Sequence, residues 1–324
     1  MRGVHSVLVA AVVVALSSCS QLELAQLYYA NNGTEARLAH ALPVTLPFRD
    51  VDGWIILSAR VNGTPPVDFV LDTGASMLAL LAGEKSQALG LDMSDTHRLG
   101  GEDDLAAPTA APQSGLDIDF GPVTLLDQTA LAIPVETIKC AEEVRDAPFV
   151  GVVGHELLSR YVVEVNYDRH EVVLHDPDTY EYTGNGRIVH ADISGRQPFV
   201  DADITAPDGA SYTARMHVDS GAGIVASLFP STNAAIVPPQ DGKEKNACFV
   251  GGKATYLTGT SVEMALGDGP AVTTPVDYAT GGEVIDTGQN GRLGARFLRN
   301  YNVVFDYSRE RMILEPRAAT VALR

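Results

Sequence analysis

One stretch of the chain occurs twice, and this repeat restricts the fold more than any other feature. Residues 150–177 read VGVVGHELLSRYVVEVNYDRHEVVLHDP, and residues 290–316 read NGRLGARFLRNYNVVFDYSRERMILEP. So many matches in one ungapped stretch indicate an internal duplication, so the chain is expected to fold as two copies of one unit. At a shift of 140 residues the matched pairs include Gly151 with Gly291, Gly154 with Gly294, Leu158 with Leu298, Tyr161 with Tyr301, Tyr167 with Tyr307, Arg169 with Arg309 and Leu174 with Leu314.

The two copies also predict the same secondary structure. In each copy a short helix (GHELLSRY, GARFLRNY) is followed by an alternating strand (VVEVNYD, NVVFDYS), a turn and a second apolar strand. Further upstream, each copy has an alternating strand that follows a Pro-Phe pair, at 47–48 and at 198–199. The order of elements is therefore repeated over most of the chain.

A carboxylate follows a short apolar strand in the first copy, where residues 69–76 read FVLDTGAS. Two segments could supply its equivalent in the second copy. The literal Asp-Thr-Gly at Asp286 aligns with Asp146 in the repeat, so we interpret Asp286 as a loop residue. Asp219, in MHVDSGAG, lies 147 residues after Asp72 and is followed by Ser-Gly-Ala in place of Thr-Gly-Ala. We therefore predict that Asp72 and Asp219 are equivalent.

Composition limits the classes of function. The 324 residues are 45% hydrophobic, which is typical of a folded globular protein with one large or two moderate domains. The net charge of −18, without a basic patch, argues against a nucleic-acid partner because phosphates would be repelled. The acidic run GEDD at 101–104 has no histidine partners and no metal-ligand spacing, so neither a metal nor another cofactor is expected.

The N-terminus is interpreted as an export signal. The apolar run VLVAAVVVAL follows Arg2 and is too short to span a bilayer comfortably. The residues LSSC at 16–19 resemble the bacterial lipobox, which implies cleavage before Cys19 and attachment of lipid to it. An ordinary secretory signal is the alternative. We expect residues 1–19 to be the signal, residues 20–46 to be a tether, and the mature protein to be lipid-anchored in the bacterial cell envelope, facing the periplasm; Ser20 leaves outer-membrane sorting open.

Two cysteines remain after Cys19 is assigned to the anchor. Cys140 and Cys248 could form a disulfide in an oxidising compartment. They could equally remain free, buried thiols, because the sequence does not show whether they come close together.

The motifs LDTGAS and VDSGAG resemble the active-site turns of retropepsin-type aspartic proteases, present twice in one chain. Each is followed by the family's apolar-apolar-Gly element, Val152-Val153-Gly154 and Arg292-Leu293-Gly294. The resemblance covers about residues 47–316. It implies a mostly β, bilobal fold, with two duplicated antiparallel β lobes (47–180 and 181–324), a short helix in each lobe and a cleft between them.

The resemblance also implies roles for individual residues. Each lobe contributes one catalytic aspartate, and because a single chain carries both, a monomer is expected. Thr73 and Ser220 are expected to hold the two turns together across the lobe interface. The family's flaps, which cover the substrate, would fall near two glycine pairs; ordinary mobile hairpins are the alternative for these four residues, Gly100, Gly101, Gly251 and Gly252.

Peptide hydrolysis explains why two carboxyl groups are needed. A close pair shares one proton, so its ionised member can take a proton from water while the other donates to the carbonyl oxygen. Gly74 and Gly221 would let the backbone approach these groups. We therefore predict an aspartic endopeptidase that acts on peptides or proteins. The alternatives are a non-catalytic relative whose cleft only binds a peptide or protein, and a site assembled between two chains.

Two residues of the second copy depart from the family pattern. Arg292 replaces an apolar residue of the apolar-apolar-Gly element, and His217 stands where the first copy has Val70. Strand alternation places His217 on the same face as Asp219, but we interpret it as a packed core residue.

Overall fold

The structure is a computed structural model that describes residues 7–8, 26–98, 108–138, 141–249, 252–282 and 288–317. It is 52% strand and 10% helix, with two sheets and a few short helices, which confirms the predicted mostly β class. Among the described residues, no helix is long and apolar enough to cross a membrane.

Within the described ranges the sheets contain 23 strands: β1 (Val7–Leu8), β2 (Ala36–Leu38), β3 (Val44–Val51), β4 (Trp54–Val61), β5 (Val67–Leu71), β6 (Ala79–Ala82), β7 (His97–Arg98), β8 (Thr109–Asp119), β9 (Val123–Pro134), β10 (Gly151–Val153), β11 (Val162–Asn166), β12 (Glu171–His175), β13 (Arg187–His190), β14 (Asp192–Ser194), β15 (Gln197–Thr205), β16 (Ser211–Asp219), β17 (Ala226–Leu228), β18 (Lys243–Phe249), β19 (Gly252–Leu266), β20 (Val272–Gly281), β21 (Gly291–Gly294), β22 (Tyr301–Asp306) and β23 (Arg311–Pro316).

The helical segments are short. Three α-helices are present among the described residues, α1 (Ala141–Arg145), α2 (His155–Leu158) and α3 (Ala295–Leu298). The 3-10 segments there are Glu84–Leu89, Val135–Thr137 and Tyr307–Arg309. The helix–strand–turn–strand units predicted from the repeat are confirmed, since α2 precedes β11 and β12, and α3 precedes β22 and β23.

One sheet joins strands from both halves of the chain. Its 14 strands include β3 to β12 from the first half, and β13, β22 and β23 from residues beyond the predicted lobe boundary at 180. The link is an antiparallel pairing of β11 with β22, in which Glu164 lies opposite Val304. The second sheet has nine strands, in the order β1-β18-β19-β20-β17-β21-β16-β15-β14. The repeated strands thus pair with each other at the junction of the two halves.

The two halves use the same strand pairings around the predicted site. In the first half, β10 lies between β5, to which it is parallel, and β6, to which it is antiparallel. In the second half, β21 lies in the same way between β16 and β17. The inserted strand hydrogen-bonds to an edge of each neighbour, and β5 and β16 both end in uninterrupted buried residues, which is typical of strands covered on both faces.

Part of the segment predicted as a tether is packed on the first half. β2 pairs with β9, and the Asn31 side chain donates to the Thr129 carbonyl at 2.9 Å and to Glu156 Oε1 at 3.1 Å. These bonds satisfy the buried amide of Asn31, which is 8% exposed. The chain is therefore already ordered before residue 47.

Cys248 lies in β18 and is disulfide-bonded. The other two cysteines, Cys19 and Cys140, lie outside the described residues. Pairing with Cys140 therefore stays a prediction.

Candidate active site

Asp72 and Asp219 occupy equivalent positions, each at the carboxyl end of a central strand. Asp72 follows β5, and its backbone N–H donates to the Val153 carbonyl of the inserted strand at 2.8 Å. Asp219 ends β16 and lies opposite Gly294 of the inserted strand there. Their side chains are 0% exposed. The fold thus delivers one buried carboxyl group from each half.

The structure brings these two carboxyl groups together. The N–H of Gly221 donates to Asp72 Oδ1 at 3.1 Å and to Asp219 Oδ1 at 3.0 Å, so one donor contacts both aspartates. The N–H of Gly74 donates to Asp72 Oδ1 at 2.7 Å. Two acids in this arrangement can share one proton.

Burial changes the acidity of both groups. Loss of solvation raises the pKa of Asp72 well above its ordinary range, and the neighbouring charge of Asp219 raises it further. Burial also raises the pKa of Asp219, but here the positive charge of Arg292 opposes the increase. The electrostatic surroundings of the two carboxyl groups therefore differ, because Arg292 lies beside Asp219.

Thr73 and Ser220 hold the two turns together by four buried hydrogen bonds. Thr73 Oγ1 donates to the Val218 carbonyl at 2.7 Å and accepts from the Ser220 N–H at 3.0 Å. Ser220 Oγ donates to the Leu71 carbonyl at 2.7 Å and accepts from the Thr73 N–H at 2.9 Å. The reciprocal contact explains why both turns carry a hydroxyl residue directly after the aspartate.

Removing either hydroxyl is expected to destabilise the protein. Thr73→Val or Ser220→Ala leaves one buried carbonyl and one buried N–H without a partner, at a cost of about 1–3 kcal/mol for each unsatisfied group. Denaturant unfolding monitored by tryptophan fluorescence measures the change. The control is Thr205→Val, which removes an exposed hydroxyl contact with Ser211 and should change the free energy of unfolding by less than about 0.5 kcal/mol. Equal losses in all three variants would contradict this role.

Two further side chains reach across the junction to the turns that carry Asp72 and Asp219, and they were not predicted. Trp54 Nε1 donates to the Gly221 carbonyl at 2.9 Å, and the side-chain amide of Gln197 donates to the Gly74 carbonyl. Each residue belongs to the opposite half from the turn that it contacts. Trp54 is the single tryptophan of the chain, which is the one signal that could have drawn attention to it.

The two departures from the family pattern lie directly beside Asp219. Arg292 Nε is 3.2 Å from Asp219 Oδ2, in an ion pair whose side chains are 3% and 0% exposed. His217 is 2% exposed and stacks on Phe199, with ring centroids 5.0 Å apart. Burial lowers the pKa of His217 well below its ordinary value, and the charges of Arg292 and Arg215 lower it further. His217 is therefore a packed, neutral residue.

Several predicted residues lie outside the part of the chain that the structure describes. They are Gly100, Gly101, Gly251, Cys19 and Asp286. Gly252 is the first residue of β19, opposite Phe249 of β18, so it lies at the tip of a hairpin. Among the described residues, no group of three or more His, Cys, Asp or Glu side chains could hold a metal ion.

A partly apolar cavity of about 390 Å³ lies on the first half. Phe149 lines it and makes an edge-to-face contact with Trp54 at 5.7 Å between ring centroids. Since Trp54 donates to the Gly221 carbonyl, two contacts connect the cavity wall to the turn that follows Asp219. Its other lining residues include Leu81, Val135, Val144 and Val150, with Glu84, Lys85, Glu136, Arg145 and Asp146 at its polar parts.

The comparisons with known proteins agree with the geometry of the first half. A search of curated proteins finds no match to this chain. The family described as aspartyl protease matches residues 57–157, a segment that includes Asp72 and Gly154 and ends before Asp219. Residues 57–157 are therefore similar to an aspartyl protease domain.

Proposed function

We propose that the protein is an aspartic endopeptidase in which Asp72 and Asp219 act as one catalytic pair. The observation that carries this proposal is the single N–H of Gly221 that donates to both carboxyl groups, one from each half of the chain. The aspartyl protease match over residues 57–157 supports the same reaction class for the first turn. The equivalent strand pairings around Asp72 and Asp219 support a duplicated lobe as its origin.

The chemistry follows from a pair that carries one proton. The ionised carboxylate takes a proton from a water molecule, whose oxygen forms a bond to the peptide carbonyl carbon, while the protonated carboxyl group donates its proton to the carbonyl oxygen. The tetrahedral intermediate then collapses as the C–N bond breaks. The first carboxyl group gives its proton to the leaving nitrogen, and the second recovers a proton from a hydroxyl of the intermediate. Both groups return to their starting states.

We infer that the apolar part of the cavity beside Trp54 receives an apolar side chain of the substrate. The wall formed by Phe149 and its aliphatic neighbours would bury such a side chain favourably. Because both carboxyl groups are 0% exposed, a peptide can reach them only after the groups that cover them move apart.

A non-catalytic binding module is the second candidate, favoured by the complete burial of both carboxyl groups. The full chain, incubated with a diverse peptide library from pH 3 to 7, distinguishes the two by mass spectrometry of the products. New peptide termini support hydrolysis. Retention of intact peptides on the protein at every pH supports binding alone.

We further propose that the protein is a monomer, lipid-anchored at Cys19 in the cell envelope. The lipobox-like residues at 16–19 support the anchor, and the presence of both aspartates in one chain supports the monomer. Sedimentation tests the monomer. The anchor is tested by fractionation of cells that express either wild type or Cys19→Ala. Wild type should be found with the membranes, and the variant should be released from them.

The rate is expected to show a bell-shaped pH dependence with its maximum above about pH 4. Burial raises the pKa of both carboxyl groups, so the singly ionised pair forms above the ordinary value for aspartate of about 3.9 and is lost only when the second proton leaves. The profile of kcat/KM against pH measures both limits. A maximum near pH 2–3 would contradict this expectation.

A further inference from the structure

The strand inserted beside each aspartate carries a different residue in the two halves. Val152 of β10 lies opposite Val70 of β5, whereas Arg292 of β21 lies opposite His217 of β16. All four residues are at most 2% exposed. An apolar pair in one half is thus replaced by two basic residues in the other.

Because of this replacement, a positive charge lies beside Asp219, whereas the equivalent residue of the first half, Val152, is uncharged. Arg292 Nε is 3.2 Å from Asp219 Oδ2 inside the protein, where two opposite charges interact more strongly than in water. An opposite charge at this distance favours the ionised form of a carboxyl group, so the contact with Arg292 favours an ionised Asp219. Among the ion pairs between described residues, none involves Asp72.

Among the described residues, the other titratable groups near the pair do not offset this difference between the two aspartates. Burial, with Arg292 and Arg215, lowers the pKa of His217 well below its ordinary value, which keeps the imidazole neutral. Burial and the charge of Asp72 raise the pKa of Tyr307 well above its ordinary value, which keeps the phenol neutral. Hydrogen bonds from Gly74 and Gly221 favour ionisation of Asp72, but a backbone N–H carries only a partial charge.

We propose that Arg292 is a positioning residue that holds Asp219 as the ionised member of the pair and leaves the shared proton on Asp72. The inference rests on the proposed function and states which aspartate is the general base and which is the general acid. Asp219 takes the proton from water, and Asp72 donates its proton to the carbonyl oxygen. Val152, at the equivalent position of the first half, carries no charge and therefore cannot favour an ionised Asp72 in the same way.

Carboxyl ¹³C NMR titration of the full chain tests the inference without relying on activity. The Asp72→Asn and Asp219→Asn variants assign the two resonances. In wild type, Asp219 is expected to ionise at a lower pH than Asp72. In Arg292→Gln, the midpoint of Asp219 should rise by about 1–3 pH units, which is the usual effect of an adjacent opposite charge, while that of Asp72 rises less. Arg292→Lys should restore most of the wild-type order.

Arg215→Gln is the matched control, because it removes a positive charge from the same strand as His217 and Asp219. Its guanidinium pairs with Asp192 instead of Asp219, so both midpoints should remain unchanged. Equal midpoint changes in the Arg215 and Arg292 variants would overturn the inference, as would ionisation of Asp72 before Asp219 in wild type. If Arg292→Gln does not fold, the wild-type order and Arg292→Lys decide the question.

The kinetic measurement separates this inference from the proposed function. For an active wild type, the acid limb of the kcat/KM profile should move to higher pH in Arg292→Gln. At a fixed pH below that limb, the rate should fall about tenfold for each pH unit by which the limb moves. An unmoved acid limb would overturn the inference. A wild type that cleaves no peptide but retains the expected order of ionisation would overturn the proposed function and support the role of Arg292.

Discussion

Asp72→Asn and Asp219→Asn should each reduce peptide cleavage by at least about 10²–10⁴-fold, the usual contribution of a positioned general acid or base. An amide can neither accept the proton of water nor supply an acidic proton to the carbonyl oxygen. Because the two groups act as one pair, the double variant should be little worse than either single variant. Initial rates on a cleaved peptide from the library, measured at the pH optimum, give the comparison.

Asp286→Asn is the control for these two substitutions. Asp286 carries the literal Asp-Thr-Gly of the second half, but the repeat aligns it with Asp146. The variant should keep most of the wild-type rate. Loss of activity in Asp286→Asn together with full activity in Asp219→Asn would show that the repeat alignment selected the wrong aspartate. Cleavage that survives Asp72→Asn would exclude the shared-proton mechanism.

Gly221→Ala and Gly74→Ala should abolish activity as completely as loss of an aspartate. A Cβ at Gly74 would lie 2.7 Å from Asp219 Cγ, and a Cβ at Gly221 would meet Asp72 Cγ more closely still. Such separations are far shorter than a carbon–carbon contact of about 3.5–4.0 Å, so the carboxyl groups would be pushed apart. The two acids could then no longer share a proton. The measurement is again the rate of peptide cleavage.

Gly281→Ala provides the matched control for the glycine variants. A Cβ there would meet no atom within 4 Å, and Gly281 does not have a positive φ. The rate should therefore be unchanged. Gly74 and Gly221 lie outside β5 and β16, so the strands are expected to form in these variants. Circular dichroism checks that each variant is folded. Normal cleavage by folded Gly221→Ala would contradict the close approach of the two turns.

The repeat explains how much of the site could be found from the sequence. A duplicated unit retains its order of elements, so the position of Asp72 predicts an equivalent near 140 residues later, and Ser220, Gly221 and Ala222 identify it. The mostly β class and the helix–strand–turn–strand units follow from the same periodic pattern. These features depend on neighbouring residues or on a repeat, and both can be recognised directly in the amino-acid sequence.

The sequence pattern was less informative about the junction between the halves. A boundary at residue 180 does not show that β13, β22 and β23 join the sheet of the first half, because strand partners are chosen by packing across the whole chain. The same holds for Trp54 and Gln197, whose carbonyl partners lie 167 and 123 residues away. Such contacts leave no periodic signal.

The sequence by itself determined that the chain contains two equivalent aspartates, each at the end of an apolar strand and followed by a hydroxyl residue and a glycine. Only the tertiary structure decided that Arg292 contacts Asp219, while Val152 lies at the corresponding position of the other inserted strand, opposite Val70. The parallel pairing of β16 with β21 brings residues 73 positions apart into contact, and the effect of a charge depends on that distance and on the exclusion of water.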